Sequence, residues 1–142
     1  WYQRRVRGMF ILTITIQIEK LKSQEQFDQF INSNEFVFVK FFLDHCGHCK
    51  QLAPKYVDLE DLNPLAKLAQ FDCEIGEVCT KLNVDGVPTL ILFKNGQILA
   101  EYTSEWRDPK PMNKWIKQQI EESKIVKTEQ VQQETQPETQ QE

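Results

Sequence analysis

The run Phe36-Val37-Phe38-Val39-Lys40-Phe41-Phe42-Leu43 constrains the fold more than any other segment. Apart from Lys40 it is wholly β-branched, aromatic or leucine, and its length and near-continuous hydrophobicity suit a central strand covered on both faces. Immediately before it, Ser23 and Gln26 stand at capping-box spacing, and Phe27, Phe30 and Ile31 fall at i, i+3 and i+4. This pattern predicts a helix over 23–33, ended by Asn32-Ser33-Asn34.

Beyond the strand, Leu52, Ala53, Tyr56, Leu59 and Leu62 recur at helical spacing from Cys46 to about Leu62, with Pro54 interrupting and Pro64 closing the segment. Leu65 to Asp72 reads as a strand, Ile75 to Leu82 as a short helix and Thr89 to Lys94 as another strand. Asn95-Gly96 supplies a type I′ turn, because both residues tolerate positive φ, so Gln97 to Tyr102 returns antiparallel. Asp108 can cap and Pro109 can open a last helix, in which Met112, Trp115, Ile116 and Ile120 form one apolar face that should end near Glu122.

The amino end carries two readings. Arg4, Arg5 and Arg7 precede an apolar stretch from Met9 to Ile18, the order of a secretory signal, and this stretch is too short to span a bilayer as a helix. Ile14-Thr15-Ile16-Gln17-Ile18 alternates as a first strand does, and the two readings can overlap. The expected organisation is a leader or signal remnant over 1–13, one domain over 14–122, and a disordered Gln/Glu/Thr-rich tail over 123–142, too polar to offset the entropy of ordering.

The resulting order, β-α-β-α-β-α-β-β-α, is an α/β arrangement with thioredoxin-fold topology: a central mixed β-sheet flanked by helices. At 142 residues the chain is sized for one domain. A net charge of −4 provides no basic field for phosphates, so nucleic acid is not an expected partner. Four cysteines are too few for a disulfide scaffold, and they fall in two local pairs, Cys46 with Cys49 and Cys73 with Cys79.

Cys46-Gly47-His48-Cys49 lies between the buried strand and a helix. A cysteine at a helix start faces unpaired N–H groups and the positive end of the helix dipole, both of which favour thiolate. Cys46 is the candidate nucleophile, and Cys49, one turn on, the resolving thiol. Protonated His48 would add positive charge beside Cys46 and make the couple more oxidising; an exposed loop residue is the bland alternative. His45 has no assigned role. Gly86-Val87-Pro88-Thr89 precedes a strand, and in this topology such a proline is commonly cis and sits beside the cysteines, where extended substrate can pair in β fashion.

The segment Val39 to Pro54 resembles the active-site region of protein disulfide isomerase domains, for which CGHC is the typical redox tetrapeptide. Phe71-Asp72-Cys73, Gly86-Val87-Pro88-Thr89, Leu92-Phe93-Lys94-Asn95-Gly96 and Tyr102-Thr103 follow in register, carrying the resemblance from about Ile16 to Ile120. The resemblance implies dithiol–disulfide exchange on unfolded or disulfide-containing client proteins, with no cofactor or metal beyond the two thiols, by a monomer in the endoplasmic reticulum lumen or secretory pathway. The last residues, Gln140-Gln141-Glu142, are not a retention tetrapeptide.

Three positions depart from or extend the pattern. His45 stands where the family usually has Trp, which alters the contact surface beside the nucleophile. Lys40 stands where the family tends to bury a Glu thought to relay a proton for the resolving cysteine; Lys40 either turns toward the cysteines and stabilises thiolate or snorkels to the surface. Arg107 matches a family arginine that can swing toward the site, or is an exposed charge before the last helix. By resemblance, Cys73 and Cys79 would form a structural or secondary disulfide; two reduced thiols are the alternative. Two further readings stand against the enzyme: a redox-weak client-binding module of the same fold, and zinc held by Cys46, Cys49 and a nearby His, for which Cys73 and Cys79 would have to lie close enough to complete four ligands.

Overall fold

The computed structural model describes residues 18–140. Nine elements follow in the order β1 (Ile18–Leu21), α1 (Gln24–Ser33), β2 (Phe36–Phe42), α2 (Gly47–Asp61), β3 (Lys67–Asp72), α3 (Val78–Lys81), β4 (Thr89–Lys94), β5 (Gln97–Tyr102) and α4 (Pro109–Gln140). The five strands form one sheet in the order β1-β3-β2-β4-β5. β3 runs parallel to both β1 and β2, while β4 is antiparallel to β2 and β5 to β4. This is the predicted mixed sheet of the thioredoxin fold, with β2 internal to it.

Strand parity divides the core. Phe38, Leu68, Leu90 and Leu92 meet Leu52, Tyr56 and Leu59 of α2 and Met112, Ile116 and Ile120 of α4 on one face. Val37, Val39, Phe41, Phe71 and Phe93 meet Phe27 and Ile31 of α1 on the other. Phe27 anchors that second layer, its ring centroid 5.5 Å from Phe71, 5.7 Å from Phe93 and 6.0 Å from Phe41. Burial of both faces explains why β2 carries no polar alternation apart from Lys40.

Local signals place the ends of the elements. Ser23 Oγ accepts the Gln26 amide at 3.0 Å, as its spacing predicts, but Gln26 Oε1 reaches back to the amide of Lys22 at 2.9 Å, one residue before the cap. Asn63 at φ +53 ends α2, which runs continuously through Pro54. Asn95 (φ +51) and Gly96 (φ +84) turn β4 into β5 as a type I′ pair requires. Asn32 Oδ1 stands 2.0 Å from where a Cβ on Gly96 would lie, so glycine is needed there for space as well as for φ.

Several expected boundaries are corrected. The described part of the first strand is Ile18–Leu21, which begins on the last residue of the alternating run; Ile14 to Gln17, and the leader expected over 1–13, lie outside the described residues. The short helix begins at Val78 rather than Ile75, because Ile75 N–H closes a turn on Asp72 O at 3.0 Å and Gly76 at φ +59 is off helical geometry. The last helix does not stop near Glu122 but continues to Gln140, where a disordered tail was expected. From Ser123 to Gln136 the chain contains neither Gly nor Pro and is rich in Lys, Gln and Glu, all good helix formers, so the backbone ladder continues where the apolar face has ended.

Candidate active site

Antiparallel pairing of β2 and β4 sets Phe41 opposite Thr89. The chain leaving β2 and the chain entering β4 therefore emerge at the same end of the sheet. That juxtaposition brings Cys46 against Val87, 41 residues away: the Cys46 thiol donates to the Val87 carbonyl at 3.7 Å. The Val87–Pro88 peptide bond is cis. Thr89 Oγ1 donates to Gly86 O, tying the two ends of this short loop together.

Cys46 is the N-cap of α2, and its sulfur accepts the Cys49 amide at 3.0 Å. It takes the part of a capping oxygen, because the first amides of a helix have no partner within it. Cys46 and Cys49 are free thiols; Cys46 is partly exposed, whereas Cys49 is 4% exposed. Burial pushes the Cys49 thiol up to about 11, helped by its hydrogen bond with Cys46. The arrangement presents one sulfur to solvent and keeps the second beneath it as a neutral thiol.

Lys40 lies on the side of the sheet that α2 covers. It is 5% exposed, and its Nζ sits 5.0 Å from the Tyr56 ring centroid and 5.4 Å from that of Phe42. Of the two orientations open in the sequence, the structure has the inward one. Burial lowers the Lys40 ammonium below its ordinary value, while attraction to Cys49 opposes that shift. Tyr56, which the sequence reading took only as a helix-face residue, is fully buried, and its hydroxyl reaches Phe38 O at 2.6 Å and Ala69 O at 2.9 Å, fixing α2 to β2 and β3.

His48 and His45 are exposed, as is Gly47. His48 borders a groove of about 420 Å³ together with Gln51, Lys55, Trp106 and Arg107. Arg107 is partly buried and also lines a second groove of about 360 Å³, with Val87 and Pro88, so it stands between the helix and the proline loop. Trp106 went unnoticed in the sequence. It is 72% exposed, with its backbone held by the Tyr102 hydroxyl on its carbonyl and by Ser104 Oγ on its amide at 3.0 Å. A single aromatic in a loop has no periodicity to mark it. Cys73 and Cys79 are joined by a disulfide, with Cα atoms 5.5 Å apart, just past the carboxyl end of β3, where the Cys73 amide donates to Phe42 O at 2.9 Å. That bond removes the two further ligands that a zinc site shared with Cys46 and Cys49 needed.

Fold and thiol pair together define a thioredoxin-like oxidoreductase. The family model described as Thioredoxin matches residues 18–118, and the chain belongs to that family. Among its relatives, a protein disulfide-isomerase of Humicola insolens is 34% identical over 110 residues, a match covering 74% of this chain and 21% of that protein. Thioredoxin-1 of Saccharomyces cerevisiae is 35% identical over 85 residues, covering 59% of this chain and 82% of the relative. The solved structure of oxidised thioredoxin from Plasmodium falciparum matches with a TM-score of 0.62 at 28% identity, covering 71% of this chain and 96% of that one. The chain spans about a fifth of the length of the curated disulfide isomerases it matches. Among the described residues, no helix is long and apolar enough to cross a membrane.

Proposed function

We propose that the chain is a protein disulfide isomerase-like oxidoreductase that forms or rearranges disulfides in client proteins. The observation that carries this reading is the position of Cys46: partly exposed, capping α2, with the Cys49 amide directed at its sulfur and Cys49 buried one turn on. An amide donor aimed at the sulfur stabilises negative charge on it, and positive charge on His48, two residues on, would add to this. As thiolate, Cys46 attacks a client disulfide, forming a mixed disulfide and releasing one client sulfur as thiolate. Cys49 then attacks Cys46, closing the intramolecular bond and releasing the second client sulfur. With the dithiol oxidised, the same steps run in reverse and deliver a disulfide to a reduced client.

In this reading Val87 and Pro88 present backbone to an extended client segment, Arg107 borders both grooves, and Gly47 leaves the approach to Cys46 open; a Cβ there would have no heavy atom within 4 Å. Clients are unfolded or disulfide-bearing proteins, the reacting species is a monomer, and no cofactor is needed beyond the dithiol. The resemblance of the CGHC segment to protein disulfide isomerase domains favours the endoplasmic reticulum lumen or secretory pathway as the compartment.

Equilibration with glutathione tests the proposal. The Cys46/Cys49 couple is expected nearer about −180 mV than about −270 mV, and Cys46→Ala is expected to abolish reshuffling of a scrambled client. A couple more reducing than thioredoxin would refute the role given to His48. Full client activity in a Cys46→Ala, Cys49→Ala double variant would replace the enzyme with a binding module of the same fold.

A further inference from the structure

The redox tetrapeptide itself offers a client no apolar side chain: His45, Gly47 and His48 surround Cys46 in sequence. Among the described residues, the most exposed large hydrophobic side chain is Trp106, at 72%. The backbone beneath it is held on all sides. Ser104 Oγ accepts the Trp106 amide at 3.0 Å, the Tyr102 hydroxyl donates to the Trp106 carbonyl, and the Arg107 amide donates to Glu105 O at 3.0 Å. Tyr102 is buried, its ring set edge-on to Trp115 at 5.1 Å, and Trp115 meets Phe38 of β2 at 5.8 Å. The loop is thus tied into the core while its indole stands in water.

A lone exposed apolar residue needs no explanation, but Trp106 lines the 420 Å³ groove that begins at the redox tetrapeptide. His48, Leu52 and Lys55 line the same groove from α2. They stand at i, i+4 and i+7, one stripe of the helix running about 10 Å from its first turn. The Lys55–Asp108 ion pair, at 3.1 Å, joins helix and loop at the end away from Cys46. Lys55 and Arg107 are balanced by Glu105 and Asp108, so the fixed charges of the lining cancel and select no ionic side chain.

We propose that Trp106 determines client specificity: the groove between it and α2 takes an aromatic side chain of the client segment whose cysteine Cys46 attacks, a role that rests on the exchange reading above. An extended segment advances about 3.3 Å per residue, so a groove of about 10 Å reaches residues within about three of the reacting cysteine. The client ring packs offset or edge-on against the indole and takes both out of water. Because the loop is already held, contact orders little new backbone. The contact lies away from the reacting sulfurs and is made equally before and during attack, so it raises the second-order rate rather than the rate of the bound complex.

Heptapeptides whose central cysteine is bound as a disulfide to a nitrothiobenzoate chromophore test this. The Cys46 thiolate attacks the peptide sulfur, the Cys46–peptide bond forms, and the chromophore leaves as a coloured thiolate, so its release gives the second-order rate. The reduced full chain is mixed with peptides carrying Phe, Lys, Glu or Ala at each flanking position in turn, in a Gly/Ser background. At the favoured position Phe is expected to react about tenfold faster than Ala, with Lys and Glu within about twofold of Ala. In Trp106→Ala the ratio of Phe to Ala rates is expected to fall to within about twofold of one. Trp106→Phe, which keeps an aromatic face, should hold it above about threefold; a lower value there overturns ring packing as the cause. A merely structural role would slow every peptide together, so an unchanged ratio in Trp106→Ala overturns the inference and leaves the exchange reading intact. So does a native preference for Lys or Glu over Phe, or a native ratio within about twofold of one at every position. Failure of the native chain to release chromophore from any peptide refutes the exchange reading, and this inference with it.

Discussion

Tyr56→Phe removes one oxygen from the residue that ties the helix bearing Cys49 to the sheet. Tyr56 is fully buried, and its hydroxyl lies 2.6 Å from Phe38 O and 2.9 Å from Ala69 O. One hydroxyl has one proton, so the two contacts share a single donor rather than forming two full bonds. The ring stays, and with it the packing on Phe38, at 6.1 Å between centroids, and the face turned to Lys40. What is lost is the net worth of one buried hydrogen bond, about 1 kcal/mol, plus part of the desolvation of a carbonyl left without that donor. β2 and β3 each have neighbours on both sides, so both carbonyls retain ladder partners and the total should stay at about 1–1.5 kcal/mol. With a urea slope of about 2 kcal/mol/M, the unfolding midpoint should fall by about 0.5–0.8 M with the slope unchanged. A midpoint within about 0.2 M of native would show that the hydroxyl gains nothing over water and that the reasoning from buried geometry is wrong. A changed slope would instead move the effect to the denatured ensemble.

Two other outcomes follow from the same coordinates. Because burial raises Cys49 from 9.0 to about 11, the fold favours its neutral thiol. That contribution is fully present below about pH 9 and is lost as pH rises toward 11. Lys40 works in the opposite sense, its burial favouring the fold more as pH climbs toward its ordinary value. The measurement is therefore the stability difference between the reduced native chain and Cys49→Ala across that range, which should shrink with rising pH; a flat difference contradicts it. Replacing both Cys73 and Cys79 by Ala opens a loop spanning a sequence separation of 6, which chain-entropy reasoning values at about 2 kcal/mol, read as a lowered urea midpoint; an unchanged midpoint under oxidising conditions would mean that the bond contributes nothing there.

How much was legible in the sequence depended on whether a signal was periodic. β4, β5 and the turn between them were readable to the residue, because Asn95-Gly96 determines both ends of the hairpin at once. The irregular register between Leu92 and Phe93 was not, since a shift in pairing leaves the apolar content of a strand unchanged. The last helix shows the same division along its length. Met112, Ile116 and Ile120 pack on the sheet and betray the helix, but amphipathicity marks only the packed part, and the continuation past it rests on propensity and on the lack of Gly or Pro before Pro137. The cysteines stood out as a motif, whereas Trp106 and the groove beside His48 depend on how α2 meets the loop before the last helix.

Lys40 lies between these cases, and its orientation follows from a rule already sufficient for the core. In a strand, residues two apart share a face. Phe38 packs against Tyr56, so Lys40 must point to the same side, beneath the start of the helix that carries Cys49. Snorkelling would need an open edge next to β2, and β2 has β3 on one side and β4 on the other. Once the sheet order is known, strand parity alone puts the amine on the α2 side of the sheet, where it is buried beside the Tyr56 and Phe42 rings.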